Sequence, residues 1–299
     1  MKWLELSVRA AAEYAEPLAE VFRRYGQGGV AIHEAGAWDP QGDARSPRAV
    51  VVTTYLPVDP TLQSRRAGID VGVRLISLLH PLGAIQEREV AEEDWEVAWK
   101  AHFSAIRIGA RLVVSPSWQE YAPAPGEVVV TLDPGMAFGT GHHPTTRMCL
   151  EELERRVEPG AQVLDLGTGS GILAIAAAKL RAAQVLALDL DLTAVRVARA
   201  NVAVNGVGGR VKVAPGSLPH PRIPPSSFDL IVANITTQVL VEKAPALAQA
   251  SKPSGILIAS GVLRASREEM KRALQQVGLR VEGLRHEGDW MALAARREA

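Results

Sequence analysis

A single cysteine, Cys149, stands in the whole sequence, so no disulfide can form within the chain and stability has to come from burial. One thiol suits a reducing compartment, and Cys149 falls on a predicted helix, where inert packing is expected. No apolar run reaches membrane-spanning length, and the N-terminus lacks a charged-then-apolar leader, so the expected location is cytoplasmic, with no membrane partner. Net charge is absent too: 33 basic residues offset 33 acidic ones. That balance removes the broad positive field of a general nucleic-acid binder, and no direct nucleic-acid binding is expected. No G-K-[ST] follows any glycine loop, which excludes a phosphate-cradling P-loop. His142 and His143 are adjacent but have no third or fourth ligand at metal-site spacing, so no metal is expected.

What is present is ample: 299 residues, 47% of them hydrophobic, are enough for two domains with proper cores. The most informative stretch runs from Gln162 to Asp191. Gln162–Leu166 is a short apolar run suited to a buried parallel strand, and Gly167-Thr168-Gly169-Ser170-Gly171 follows at once. An alanine-rich helix from Ile172 to Leu180 comes next, then a second strand ending at Asp189. Glycines let a backbone turn sharply against a ligand, and the following helix points free N–H groups at the same place. A carboxylate about 20 residues beyond the first glycine accepts hydrogen bonds from ribose hydroxyls. Gly167, Gly169 and Asp189 are therefore candidate nucleoside-binding residues.

The spacing selects among nucleosides. A dinucleotide fingerprint is G-x-G-x-x-G, whereas the third glycine comes one residue early here. Asp165 precedes the loop, which is unfavourable beside a pyrophosphate but useful near a cation, and S-adenosylmethionine carries a cationic sulfonium and ammonium. A methyltransferase is favoured over a nicotinamide-dependent oxidoreductase, for which no hydride-handling His/Lys pair is evident.

Along the chain, residues 1–91 alternate in the order βαββαβ, a ferredoxin-like α+β pattern. Residues 92–126 read as a helical and proline-rich joint: Trp95, Trp99 and Phe103 recur every four residues as one aromatic stripe, and three prolines stiffen the segment 116–126. Residues 127–299 read as a Rossmann-like, doubly wound α/β domain. Within it, Asp133–Thr146 is an irregular loop with three glycines, two histidines and two prolines. Thr146 reads at minimum as a cap for a helix over 147–153. The connection 216–227 has four prolines and no acidic residue, so backbone groups would have to meet an adenine amino group. Phe228–Ala233 is a further buried strand with Asn234 at its C-terminal tip, level with Gly167 and Asp189 on the edge where open α/β sheets bind ligands. Ser266 and Glu269 read as a capping box for the last long helix. Leu279–Leu284 and Trp290–Ala294 read as a terminal hairpin, with Trp290 packed beneath it and no substrate role assigned to it.

Leu164 to Asn205, together with the segment Asp133–Thr146 upstream and Ala233-Asn234-Ile235 downstream, resembles the PrmA family, the methyltransferases of ribosomal large-subunit protein eleven. The similarity spans nearly the whole chain, and Phe138–Thr146 is its most specific part. The resemblance implies S-adenosylmethionine as cofactor, an N-terminal domain that grips the protein substrate, and a loop covering the cofactor. In that loop it places Thr146, Gly139 and Thr140 on the cofactor and Phe138 near the methyl-transfer channel. The chemistry it implies is modest, because a sulfonium methyl is already activated and transfer needs a neutral, well-aimed amine in a dry site. No dedicated base is demanded, and Asn234 is the catalytic candidate, holding acceptor N–H groups. Asn234-Ile235-Thr236-Thr237 lacks a Pro-Pro-aromatic continuation, which argues against a planar amide or base as acceptor. The competing readings are an RNA or small-amine methyltransferase, and a non-catalytic ribosome assembly factor with a retained nucleoside pocket.

Overall fold

In strand β1 (Lys2–Ala11) the residues Leu6, Val8 and Ala10 alternate inward, and this period of two organises the N-terminal part of the computed structural model. The structure describes residues 2–11, 14–26, 30–37, 48–79, 81–91, 104–132, 141 and 143–298. The described residues up to Ser104 form one compact unit and those from Ala105 onward a second.

In the first unit β1 is followed by α1 (Ala15–Tyr25), β2 (Val30–Ala37), β3 (Arg48–Pro57), α2 (Leu62–Ser77) and β4 (Gln86–Ala91). The strands lie in the order β2-β3-β1-β4 with antiparallel neighbours throughout. This is the ferredoxin-like arrangement that the element order implies. Leu18 and Phe22 of α1 and Ile69 and Val73 of α2 cover one face of the sheet, against Val50, Val52 and Leu56 of β3. The helices approach closely because α2 is bare at two places. A methyl group at Gly68 would stand 2.4 Å from the Tyr25 ring, and one at Gly72 would stand 2.5 Å from Val21.

The second unit opens with a small sheet of β5 (Ile106–Ile108), β6 (Leu112–Pro116) and β7 (Val128–Leu132). Its main body follows in the order α3 (Pro144–Arg156), β8 (Gln162–Leu166), α4 (Ile172–Lys179), β9 (Gln184–Asp189), α5 (Leu192–Val204), β10 (Val211–Pro215) and β11 (Phe228–Asn234). It ends with α6 (Thr237–Ala250), β12 (Ser251–Leu263), α7 (Arg267–Gln276), β13 (Leu279–Glu287) and β14 (Trp290–Arg297). The seven strands are ordered β10-β9-β8-β11-β12-β14-β13. The first five run parallel, and β14 runs antiparallel between β12 and β13. Strand order reverses between β8 and β11, and such a reversal opens a crevice at the carboxyl ends of the strands.

Helix α4 is buried from Ile172 to Ala178, so it has no polar face. A helix apolar all round must be covered on all sides. The parallel sheet covers one side, and Ile108, Leu112, Val114, Val130 and Leu132 of the small sheet join the same core together with Leu150 and Leu153 of α3. Strands β5 and β6, within the stretch 92–126 that the sequence presents as a joint, therefore cluster with the second unit. The proline-rich segment after them is tied down as well, because the Glu127 carboxylate accepts from the Ala124 amide and the Tyr121 hydroxyl and pairs with Arg107. Trp95, Trp99 and Phe103 lie outside the described residues. The capping box expected at Ser266 is not formed: a 3-10 turn at Arg264–Ser266 leads into α7, and the serine side chain makes no cap bond.

Candidate active site

The glycine loop leaves β8 with Gly167, Gly169 and Gly171 all at positive φ, of 74°, 54° and 84°, backbone that side-chain-bearing residues rarely adopt. Gly167 is also bare for space, since a Cβ there would stand 2.4 Å from Cγ2 of Ile235. The loop after β8 and the turn after β11 thus abut directly. From behind, the Asn201 side chain of α5 donates to the Ser170 carbonyl at 2.8 Å. Asn201 did not stand out as a site residue, yet a signal was there: it lies on the helical face of Ala194, Ala198 and Val202, where an apolar residue is expected, and it is buried.

Asp165, expected near a cationic ligand, is enclosed instead, with 0% of its surface exposed. Its Oδ2 accepts from the Thr168 hydroxyl at 2.6 Å and from the Ala174 amide at 3.1 Å. The carboxylate therefore holds the loop from inside. Burial pushes its pKa up to about 7, with the charge of Asp189 adding to the rise and the bonds from Thr168 and Ala174 opposing it. A folded pKa above the ordinary 3.8 means that the folded state keeps a proton the unfolded chain gives up. The stability from that proton is complete below about pH 4 and drains as pH rises through about 7. In denaturant titrations at several pH values, wild type should lose stability across this window by up to about 1.4 kcal/mol per pH unit more than Asp165→Asn does. Identical pH slopes for the two proteins would show that the carboxyl is not so perturbed.

Asp189 ends β9, adjacent to β8 in the sheet. Its Oδ2 accepts from the Gly169 amide at 2.9 Å and its Oδ1 from the Asp191 amide at 3.0 Å. A carboxylate has about four lone-pair sites, so two remain for hydroxyl donors. Asn234 ends β11 on the other side of β8, paired with Ser260 of β12. Its Nδ2 donates to the Thr146 hydroxyl at 3.4 Å. Gly167, Gly169, Asp189, Asn234 and Thr146 are thus gathered at the tips of three adjacent strands and the start of α3.

Thr146 does not cap its helix. Helix α3 begins earlier, at Pro144, with His143 as the N-cap residue, whose Nδ1 accepts from the Thr145 amide at 3.3 Å. Proline at the first helical position loses no bond, because its missing N–H would be an orphan there. Thr146 therefore sits inside the first turn, with 0% exposure. Trp290, at the turn of the β13–β14 hairpin, meets the His143 ring edge-on, with centroids 5.1 Å apart. Phe138, Gly139, Thr140 and His142 lie outside the described residues.

Among the described residues no cluster of three or more His, Cys, Asp or Glu could hold a metal ion, and no helix is long and apolar enough to cross a membrane. Cys149 is buried and burial pushes its thiol pKa far up, so it stays a neutral packing group.

The strand tips fit S-adenosylmethionine in their donor and acceptor set: a carboxylate with free lone pairs beside a glycine loop with no room for a Cβ at Gly167, and Asn234, held by the buried Thr146, across the strand reversal. Comparison with known proteins leads to the same place. The family model described as ribosomal protein L11 methyltransferase (PrmA) matches residues 2–298. The chain is similar to the ribosomal protein L11 methyltransferase of Chloroflexus aurantiacus, at 47% identity over 99% of this chain and 98% of that one. It is 44% identical to the protein of the same name from Pelotomaculum thermopropionicum, over the full length of both. Among solved structures, the ribosomal protein L11 methylase of Lactobacillus delbrueckii subsp. bulgaricus superposes with a TM-score of 0.59 at 34% identity, covering 66% of this chain and 100% of that one. With the strand order, the residues gathered at the strand tips and a match over nearly every residue in agreement, the chain belongs to the ribosomal protein L11 methyltransferase (PrmA) family.

Proposed function

We propose that the chain transfers methyl groups from S-adenosylmethionine to amino groups of ribosomal protein L11, lysine side chains or the N-terminus, in the crevice between β8 and β11. The observation that carries this reading is the gathering of Gly167, Asp189, Asn234 and Thr146 at one sheet edge in a chain that matches the family from end to end. When bound, S-adenosylmethionine supplies an electrophilic sulfonium methyl. Asp189 offers its remaining lone pairs to the ribose hydroxyls, and the Gly167–Gly171 backbone admits the ligand closely. Thr146 and Asn234 close the crevice from the side of α3. Phe138, Gly139 and Thr140 are assigned to the cofactor side on the family resemblance.

Asn234 directs its amide N–H toward Thr146, which leaves its carboxamide oxygen as an acceptor for an incoming amine. A lysine ammonium, with an unperturbed pKa of about 10.4, has to lose its proton before it can attack, and desolvation in a closed crevice favours the neutral form. With that proton released to water before the site closes, the acceptor N–H groups would bond to the Asn234 oxygen, which orients the nitrogen lone pair. The enzyme acts in the cytoplasm, where reducing conditions suit its lone buried thiol, and the balanced charge of the chain speaks for a protein rather than a nucleic-acid surface as partner. Incubation with methyl-labelled S-adenosylmethionine and ribosomal extract should place label on ribosomal protein L11. Label found only in RNA or in small amines would refute the assignment.

A further inference from the structure

Helix α3, which carries Thr146, is strapped to strand β13 by charges of alternating sign. Arg147 pairs with Glu287 through two contacts, one of them Nε to Oε2 at 3.3 Å. One helical turn on, Arg285 pairs with Glu151 and donates from Nε to Oε1 of Glu152 at 2.5 Å. One turn further, Arg156, which itself holds Glu152 at 2.6 Å, lies over Gly283, where a Cβ would stand 3.3 Å from the guanidinium. The partners on the helix are about four residues apart and those on the strand two. Four helical residues rise about 6 Å and two strand residues about 6.6 Å, so the two repeats stay in step.

Alternation gives the strap a register. A slip of one turn along the helix would set Arg147 against Arg285, or Glu151 against Glu287, and like charges repel. At the top, Glu287 is paired in register with Trp290 across the hairpin turn, and Trp290 is the residue whose ring meets His143, the N-cap of α3. One turn of one hairpin therefore grips the first helical turn twice, through Arg147 and through His143, on either side of Thr146.

We propose that the β13–β14 hairpin is the positioning device of the cofactor site: Glu287, Arg285 and Trp290 set the axial place of α3 and so hold Thr146 against Asn234. This rests on the reading of Thr146 as a cofactor-facing residue. None of the three touches the reacting atoms; they are positioning residues acting through the helix.

The test is S-adenosylmethionine affinity by calorimetry, run beside thermal melting, on the full chain. Glu287→Arg, which sets two guanidinium groups together, should raise Kd about tenfold, and the exchanged pair Arg147→Glu with Glu287→Arg should return it to within about threefold of wild type. If Glu287→Arg does not fold, Glu287→Gln takes its place with an expected rise of about threefold. Wild-type affinity in the single variant overturns the proposal. So does an exchanged pair that recovers melting temperature without affinity, because the ladder would then be purely structural. Thr146→Ala separates the two ideas: if it binds as wild type, the cofactor-facing reading falls and takes the proposal with it. If it weakens binding while Glu287→Arg and Glu287→Gln do not, only the positioning role fails.

Discussion

An Asp189→Ala protein should bind S-adenosylmethionine at least about a hundredfold more weakly than wild type, by calorimetry, while keeping its fold. Charge-assisted hydrogen bonds contribute about 1.5–3 kcal/mol each, and two ribose bonds, partly replaced by water, leave a net loss of about 3 kcal/mol, or roughly two powers of ten. The same substitution frees the Gly169 and Asp191 amides, so the loop that approaches the ligand also loses its anchor. Asp189→Asn keeps one acceptor oxygen without the charge and should fall between the two. Unchanged affinity in the alanine variant would show that the β9 carboxylate does not hold the nucleoside.

A chain shortened to residues 105–299 should bind S-adenosylmethionine within a few-fold of the full protein and methylate ribosomal protein L11 at background rate. The second unit carries Thr146, Gly167, Asp189 and Asn234 as well as its own core, so the crevice survives the cut. What is lost is the proposed grip of the ferredoxin-like unit on the protein substrate. Binding far from the reacting atoms supplies the orientation that brings one amine to the methyl group, and without it near-attack geometry is rare. The place of the cut matters. Starting at Pro125 instead would remove Ile108, Leu112 and Val114 from the core around α4, and that piece should melt well below the longer one. Full activity of residues 105–299 on intact ribosomal protein L11 would move the acceptor site wholly onto the second unit.

Local pattern and long-range pairing were unequally legible in the sequence. The run from Gln162 to Asp189 announces its strand, loop, helix and strand because each element is bounded by its own chemistry: an apolar run, alternating glycines, alanines, a terminal acid. Asn234 was legible for a related reason, since a buried strand that stops at a polar residue puts that residue at the sheet edge. The start of α3 was misplaced because the proline at 144 reads as a loop signal, although at the first helical position it fits without cost. The place of Asp165 beside the glycine turn suggests use near a cation, but composition does not say which way a strand residue points. Its side chain turns inward to Thr168 and Ala174. The pairing of α3 with β13 joins residues more than 130 positions apart, as in Arg285 with Glu151 and Arg147 with Glu287, and no period within either segment reveals it.

Methyl transfer to the protein substrate is read directly by intact-mass spectrometry of purified ribosomal protein L11 after incubation with the full chain and S-adenosylmethionine, with the Asp189→Ala chain as control. The substrate should gain mass in whole methyl increments with the wild-type chain and none with the control at the same cofactor concentration. An unmodified substrate after incubation with a chain shown to bind S-adenosylmethionine would contradict it.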